Sequence, residues 1–374
     1  MDLFCAQPVT RRRLLQLAGV GLLGGFALSR AVAQDAFGQA LLRGAGSTFV
    51  LPLVEQWLRL YRGGTSGVAF QAGNAGLDDD ALGRAALDYE AIGSQAGLLR
   101  LQAKAVDFAF SELPLSAAEL TRLELIQMPV VVGGVAIATH LPRFKDNLRL
   151  DGPTLAAILR GDIVRWNHAS IAALNPNVAL PDQTIMPIHR ADGSGTTHTL
   201  TRYLATQDPE WPVAIGVDAV VRWPVGKAVR GSGAMAQTLA STPGSIGYLD
   251  AVQAQAAGLG IVQLKNGTGH FVKPDPGSIE AAIQAVPWQA GQDAQPQFIN
   301  APGAASYPVV ATVLAVLNRR AISRQDRRAR AFLAWALTNG QHSARDLGYV
   351  PLPASLAQQV RELLVTSVQS PRSP

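Results

Sequence analysis

Short apolar runs of strand length alternate along the chain with stretches whose apolar positions recur at helical spacing. That alternation predicts α/β layers with mainly parallel sheets, because two parallel strands need a crossover, usually a helix, between them. Strands are expected at 105–110, 126–138, 185–187, 245–248 and 309–317. Helices are expected at 52–61, 116–125, 154–160, 195–206, 234–239, 279–285, 324–338 and 356–369. Two of them carry start signals. Thr154 follows Pro153, and Ser116 with Glu119 three positions on has the form of a capping box, which satisfies free N–H groups at a helix start.

Two segments break the alternation. Residues 62–88 are rich in Gly, Ala and Asp and read as a surface excursion; Asp78-Asp79-Asp80 lacks the ligand spacing of a calcium loop. At the front, Arg11-Arg12-Arg13 precede an apolar stretch, 14–28, and then the small-residue site Ala31-Val32-Ala33. These are the three zones of an export signal, predicted to span 1–33. The apolar stretch is short of the roughly 20 residues that cross a bilayer. Thr10-Arg11-Arg12-Arg13-Leu14-Leu15-Gln16 resembles a twin-arginine signal, read by a route that exports folded proteins. The expected destination is the periplasm, or beyond it, without a membrane anchor.

Composition sharpens this picture in three places. With 48% hydrophobic and 16% charged residues in a chain of 374, two domain-sized cores can be buried and general disorder is excluded. Arg11, Arg12, Arg13 and Arg30 against Asp2 carry more than half of the formal net charge of +5, so the chain beyond the signal is close to neutral. The densest later basic run, 324–330 (RQDRRAR), reads as a solvated helix face, and no nucleic-acid stripe is found. Cys5 is the only cysteine and lies in the signal, which removes disulfides, thiol catalysis and cysteine metal sites from the mature chain.

The densest polar cluster is His189-Arg190-Ala191-Asp192-Gly193-Ser194-Gly195-Thr196-Thr197-His198, after an apolar run and at the opening of a helical pattern. A Gly-Ser-Gly-Thr turn entering a helix offers backbone N–H groups and hydroxyls together, with the positive end of the helix dipole behind them. Arg190 adds a fork of charge-assisted donors, and Asp192 is placed to hold that fork. A helix start with a capping serine and no ligand is the plain alternative. Gly44-Ala45-Gly46-Ser47-Thr48-Phe49 and Gly93-Ser94-Gln95-Ala96-Gly97 are two more turns of this kind. The first of these lacks the third glycine of a dinucleotide fingerprint and the Gly-Lys-Ser/Thr of a P-loop, so nucleotide binding is unsupported. Three such turns in one chain point to convergence on one small oxyanion. Val106-Asp107-Phe108-Ala109-Phe110-Ser111-Glu112 reads as a strand ending in a carboxylate, for which a surface charge or cap is the plain alternative.

Together these residues resemble the periplasmic phosphate-binding proteins of bacterial phosphate ABC transporters. The likeness spans about 42–365 and rests on GAGSTF (44–49), IGSQAG (92–97), VDFAFSELPLS (106–116), PVVVGGVAIA (129–138), LDGPTLAAILRGDIVRWNH (150–168), LNPNVALPDQTI (174–185), HRADGSGTT (189–197), WPVGK (223–227) and PGSIGY (243–248). It implies an α/β, two-lobed periplasmic-binding-protein (Venus-flytrap) fold, type II-like, with the ligand cleft between the lobes. Lobe I would comprise 34–130 plus 309–374, with 62–88 as an insertion, and lobe II would comprise 131–308. The implied phosphate contacts are Thr48, Phe49 through its backbone N–H, Ser94, Arg190, Ser194, Gly195 and Thr196, with Asp192 bracing Arg190 and contributing to the site. The implied partners are inorganic phosphate and the inner-membrane ABC permease, for a monomer without cofactor or metal.

Two departures from the family pattern stand out. Glu112 occupies a position that is usually aspartate. A carboxylate there accepts the proton of hydrogen phosphate and repels fully ionised sulfate; glutamate reaches one methylene further, which shifts the fit. The second departure is the excursion itself. Within it, Val68-Ala69-Phe70-Gln71 competes with Leu87-Asp88-Tyr89-Glu90 for the strand before the second turn, and the latter is preferred because Gly93-Ser94 comes directly after it.

The alternatives within the same fold are a receptor for another oxyanion and a secreted phosphate-scavenging or adhesion protein. A phosphatase is disfavoured. Of the six histidines only His189 and His198 lie near Asp192, in no common metal spacing, and Ser194 has no Gly-x-Ser-x-Gly elbow.

Overall fold

A computed structural model of the chain describes residues 42–63, 87–144, 147–286 and 298–366. The expected export signal, 1–33, and most of the excursion, 64–86, lie outside the described residues. The first strands are β1 (Leu42–Gly46), β2 (Leu87–Glu90), β3 (Phe108–Ser111) and β4 (Leu125–Thr139). They are followed by β5 (Arg149–Leu150), β6 (Met186–Arg190), β7 (Lys227–Val229) and β8 (Ser245–Asp250). The last are β9 (Gly260–Ile261), β10 (Gln263–Lys265), β11 (Phe271–Val272), β12 (Val310–Asn318) and β13 (Val350–Pro351).

The main sheet runs β2-β1-β3-β12-β4-β8-β6-β7, with β9 and β13 also paired to β4; β11-β10-β5 form a small separate sheet. β4 is the shared element. Its first part pairs antiparallel with β12, from Leu125 opposite Asn318 to Gly134 opposite Val310. From Val135, opposite Asp250, it pairs with β8 instead. One fifteen-residue strand therefore joins two half-sheets. Outside it the pairings are those of strand–helix–strand units: β1 is parallel to β2 and β3, and β6 is parallel to β7 and β8. The expectation of mainly parallel sheets is corrected to a mixed sheet. β4 and β12 carry the chain out of one half and back, so they run against each other and against the strands beside them.

Most expected elements stand within a few residues of their predicted bounds, and the helix Arg324–Thr338 has the bounds expected for it. β2 is the Leu87–Glu90 strand that Gly93-Ser94 favoured. The helix expected at 116–125 is shorter, Ala117–Arg122; it has the predicted Ser116/Glu119 box. Glu124 then adopts a left-handed φ of 52° that turns the chain directly into β4.

The reading of 324–330 as a solvated face is also corrected. Arg328 and Arg330 are buried. Arg330 Nη2 donates to the carbonyls of Asn318 (2.8 Å) and Arg319 (3.0 Å). The helix start lies against the end of β12, where carbonyls past the last ladder bond need donors, and a buried guanidinium supplies them.

The helix Ser94–Gln102 lies on β1 and β3 with Leu98 and Leu101 inward and Leu99 exposed. Its approach depends on Gly97: a Cβ there would fall 2.3 Å from Gly46 Cα and 2.9 Å from the Ala45 carbonyl carbon. Backbone cannot yield as a flexible side chain can. Gly97→Ala is thus expected to lower unfolding stability by about 1–3 kcal/mol in urea titration, despite alanine's better helix propensity. An unchanged or raised stability would mean that the helix has room to lift off the sheet.

Candidate functional site

Four strand ends carry the chain into helix N-termini, and the strand order gathers them. In strand–turn–helix units the turns after parallel neighbours share one edge of the sheet. β1 leads through Ser47 and Thr48 to the helix Leu51–Gly63, and β2 leads through Gly93 to Ser94–Gln102. In the other half-sheet β6 leads to Gly195–Gln207 and β7 leads to Gly231–Ser241. β3, beside β1, ends at Ser111, one residue before Glu112.

The first turn is stitched to its neighbours by backbone. Ser47 N–H donates to Phe110 O at 2.8 Å, and Gly93 N–H to Gly46 O at 2.9 Å. Gly46 has φ 130°, and a Cβ there would lie 2.1 Å from Phe110 O, so glycine is required. Phe49 sends its ring into the core against Tyr349, which leaves its backbone as the part available to a ligand. In this structure its N–H donates to Ser47 Oγ at 3.1 Å.

Glu112 is buried and collects hydroxyls. Ser47 Oγ donates to one carboxylate oxygen in a short bond, and Ser94 Oγ donates to the other at 2.5 Å. Ser94 Oγ in turn accepts from Gly195 N–H at 3.3 Å, which links the second turn to the helix that starts at Gly195. A Cβ on Gly195 would fall 2.2 Å from Glu112 Oε2, so only glycine admits the longer carboxylate here. Burial pushes the Glu112 carboxyl up, against the hydrogen bonds from Ser47 and Ser94 and the charge of Arg190.

Arg190 and Asp192 form the expected fork. Arg190 Nε donates to Asp192 Oδ1 at 2.7 Å, and Nη2 to Oδ2 in a shorter bond, with both side chains nearly withdrawn from solvent. Asp192 Oδ1 also accepts from Gly231 N–H at 3.1 Å, and Gly93 leaves room for Oδ2, which is 2.5 Å from where a Cβ would be. Burial works to raise the Asp192 carboxyl, but Arg190 and the Gly231 amide outweigh it and hold it below the ordinary value. Ser194 caps its helix by accepting from Thr197 N–H at 3.1 Å, and Thr196 is buried in the first turn.

The sequence reading did not name Ser232. Its hydroxyl is 2.9 Å from Thr48 Oγ1, and its N–H donates to the same atom at 3.1 Å. The signal was available: Arg230-Gly231-Ser232-Gly233 is a second Gly-Ser-Gly turn opening a helix, after Gly193-Ser194-Gly195. It also missed the buried cluster behind the first turn, in which Asp250 caps the helix Ala251–Ala256 through Gln253 N–H (2.9 Å) and lies 3.3 Å from the Tyr349 hydroxyl. The histidines near Asp192 are not brought into any cluster. His189 stacks on Trp223, and burial, helped by the charge of Arg202, drives His198 down to about 4. Among the described residues no group of three or more His, Cys, Asp or Glu could hold a metal ion.

A sheet in two halves joined through β4, with oxyanion-type donors from both halves meeting at one place, defines a periplasmic-binding-protein fold of the two-lobed kind. Residues 31–339 match the PBP superfamily domain. The chain is 35% identical to "Phosphate-binding protein PstS" of Xylella fastidiosa over 85% of its own length and 83% of that protein's. It is 33% identical to the PstS of Pasteurella multocida, over 88% and 91%. Among solved structures, the phosphate-binding protein of Stenotrophomonas maltophilia superposes with a TM-score of 0.61 at 19% identity, over 86% of this chain and 93% of that one. The chain belongs to the PstS family of phosphate-binding proteins within the PBP superfamily.

Burial raises Asp250 to about 7, against the donors from Gln253 and Tyr349. Between about pH 4, where an ordinary aspartate ionises, and about 7, the native state therefore holds a proton that the unfolded chain has released. Asp250 thus lowers the unfolding free energy as pH rises through that window, while His198, neutral in the native state down to about 4, works in the opposite direction. In Asp250→Asn the Asp250 contribution is removed, so its slope of stability against pH should be more positive than the wild type's by up to one proton, as read from urea midpoints at several pH values. Glu112 and His198 are common to both proteins, so the difference isolates Asp250; identical slopes would refute its assignment.

Proposed function

We propose that the chain is a periplasmic receptor that captures inorganic phosphate between two lobes and delivers it to an inner-membrane ABC permease, as a monomer and not as an enzyme. The observation that carries this reading is one hydrogen-bonded set built from both half-sheets: Ser47, Ser94, Glu112 and Gly195, with Thr48–Ser232 and the Arg190–Asp192–Gly231 group beside it. Hydroxyls, helix N-terminal amides and one braced guanidinium suit a tetrahedral oxyanion, and a carboxylate among them suits one that carries a proton. The curated relatives are named for phosphate binding.

The proposed contacts are Thr48, Phe49 (through its N–H), Ser94, Glu112, Arg190, Asp192, Ser194, Gly195 and Thr196. The lobes are proposed as 34–130 with 309–374, and 131–308. The change of β4's partner between Gly134 and Val135 supports a crossing at that strand. A periplasmic location agrees with the signal-like 1–33, and among the described residues no helix is long and apolar enough to cross a membrane. The receptor reading also agrees with the donor set. It binds a ground state, and neither an activated nucleophile nor a metal-held water belongs to the mechanism.

Selection works through protons. Hydrogen phosphate shares its proton with Glu112, whereas sulfate brings only lone pairs to a carboxylate and is repelled. Calorimetric titration of the mature protein, first freed of ligand, with phosphate, arsenate and sulfate at two pH values tests this. Phosphate should bind and sulfate should not. Glu112→Gln should weaken phosphate roughly 10- to 100-fold, the range for a charged hydrogen bond, and let sulfate in. Failure of every oxyanion to bind would overturn the assignment.

A further inference from the structure

The Thr48–Phe49 turn is gripped from behind as well as in front. The carbonyl of Thr48 accepts from Gln253 Nε2 at 2.9 Å, and the carbonyl of Phe49 accepts from the Tyr349 hydroxyl at 2.8 Å. These bonds link residues 205 and 300 positions apart. Gln253 is itself fixed: its N–H donates to Asp250 Oδ1 at 2.9 Å, and Nε2 also donates to Oδ2 in a short bond. Asp250 is fully buried at the end of β8, opposite Val135, the first β4 residue to pair with that half-sheet. Tyr349 precedes β13, which pairs with Val131 and Val132 on the other side of the partner change. The cluster therefore straddles the junction of the two half-sheets. Tyr349 approaches the turn from the turn's own side, and Gln253 approaches it from the opposite side.

We infer that Gln253, oriented by Asp250, is a positioning residue that latches the Thr48–Phe49 turn across the two lobes and so slows release of the bound anion. The inference rests on the phosphate-receptor reading and extends it to how the closed form is held. The Phe49 N–H shares its peptide with the Thr48 carbonyl that Gln253 holds, and the Thr48 hydroxyl is carried on the residue at the front of that peptide. Fixing the carbonyls fixes the orientation of the turn. A bond between the two half-sheets resists their separation, so its loss speeds opening and leaves the encounter with ligand unaltered.

The test is stopped-flow binding of inorganic phosphate to the wild type, Gln253→Met and Gln253→Glu. Methionine keeps the length of the side chain and removes the donor. It should raise the release rate about three- to ten-fold, the worth of one neutral hydrogen bond, with the association rate unchanged. Glutamate sets an acceptor against the Thr48 carbonyl and the Asp250 carboxyl and should release faster still. Wild-type release rates in Gln253→Met would overturn the latch. Hydrogen exchange of the unliganded proteins provides a second readout that does not need phosphate. Amides of residues 48–50 should exchange faster in Gln253→Met, while those of the β12 core stay protected. No change there would also overturn it. A wild type that binds no phosphate would refute the receptor reading alone, with the exchange result still deciding the latch.

Discussion

The buried carboxylate of Glu112 is the interaction around which the site is organised. An acceptor-only group withdrawn from water must be met by donors, and the fold brings it two hydroxyls, one from each of two turns that precede helices. Ser94 relays that demand to Gly195 N–H, so one carboxylate ties β1, β2 and β3 to the helix after β6. The requirement spreads into glycine. Gly195 has no side chain because Glu112 Oε2 occupies the space, and Gly93 has none because Asp192 Oδ2 does.

Arg190 balances this arrangement from the other half-sheet. A guanidinium held by two bonds to its own carboxylate presents its remaining N–H groups in a set direction, and the pair carries no net charge into the interior. Glu112 is then the unneutralised carboxyl of the set, and it is the one that burial pushes toward the protonated form. A ligand bringing both negative charge and a proton satisfies the two sides together.

β4 turns this local chemistry into a two-lobed device. One strand pairs with both half-sheets and changes partner between Gly134 and Val135. The Asp250–Gln253–Tyr349 cluster lies at that junction and reaches the first turn of the site. Geometry at the candidate site and geometry at the junction are thus joined through the Thr48–Phe49 backbone.

The sequence by itself determined everything encoded within one turn of chain. The Gly-Ser-Gly-Thr opening after β6, the Arg190-x-Asp192 spacing and the Ser116/Glu119 box are each set by neighbours a few residues apart, and short-range geometry leaves them little freedom. The resemblance to a family supplied the lobes and the role of Glu112, which no local rule contains. Tertiary structure alone decided which distant groups meet: Ser232 with Thr48, Gln253 and Tyr349 with the carbonyls behind it, and Arg330 with the end of β12. The antiparallel centre of the sheet belongs to the same class. The physical reason is that a polar side chain's partner, and a charged one's burial, depend on what packing brings opposite it from far along the chain. The run 324–330 looks solvated until β12 ends against it.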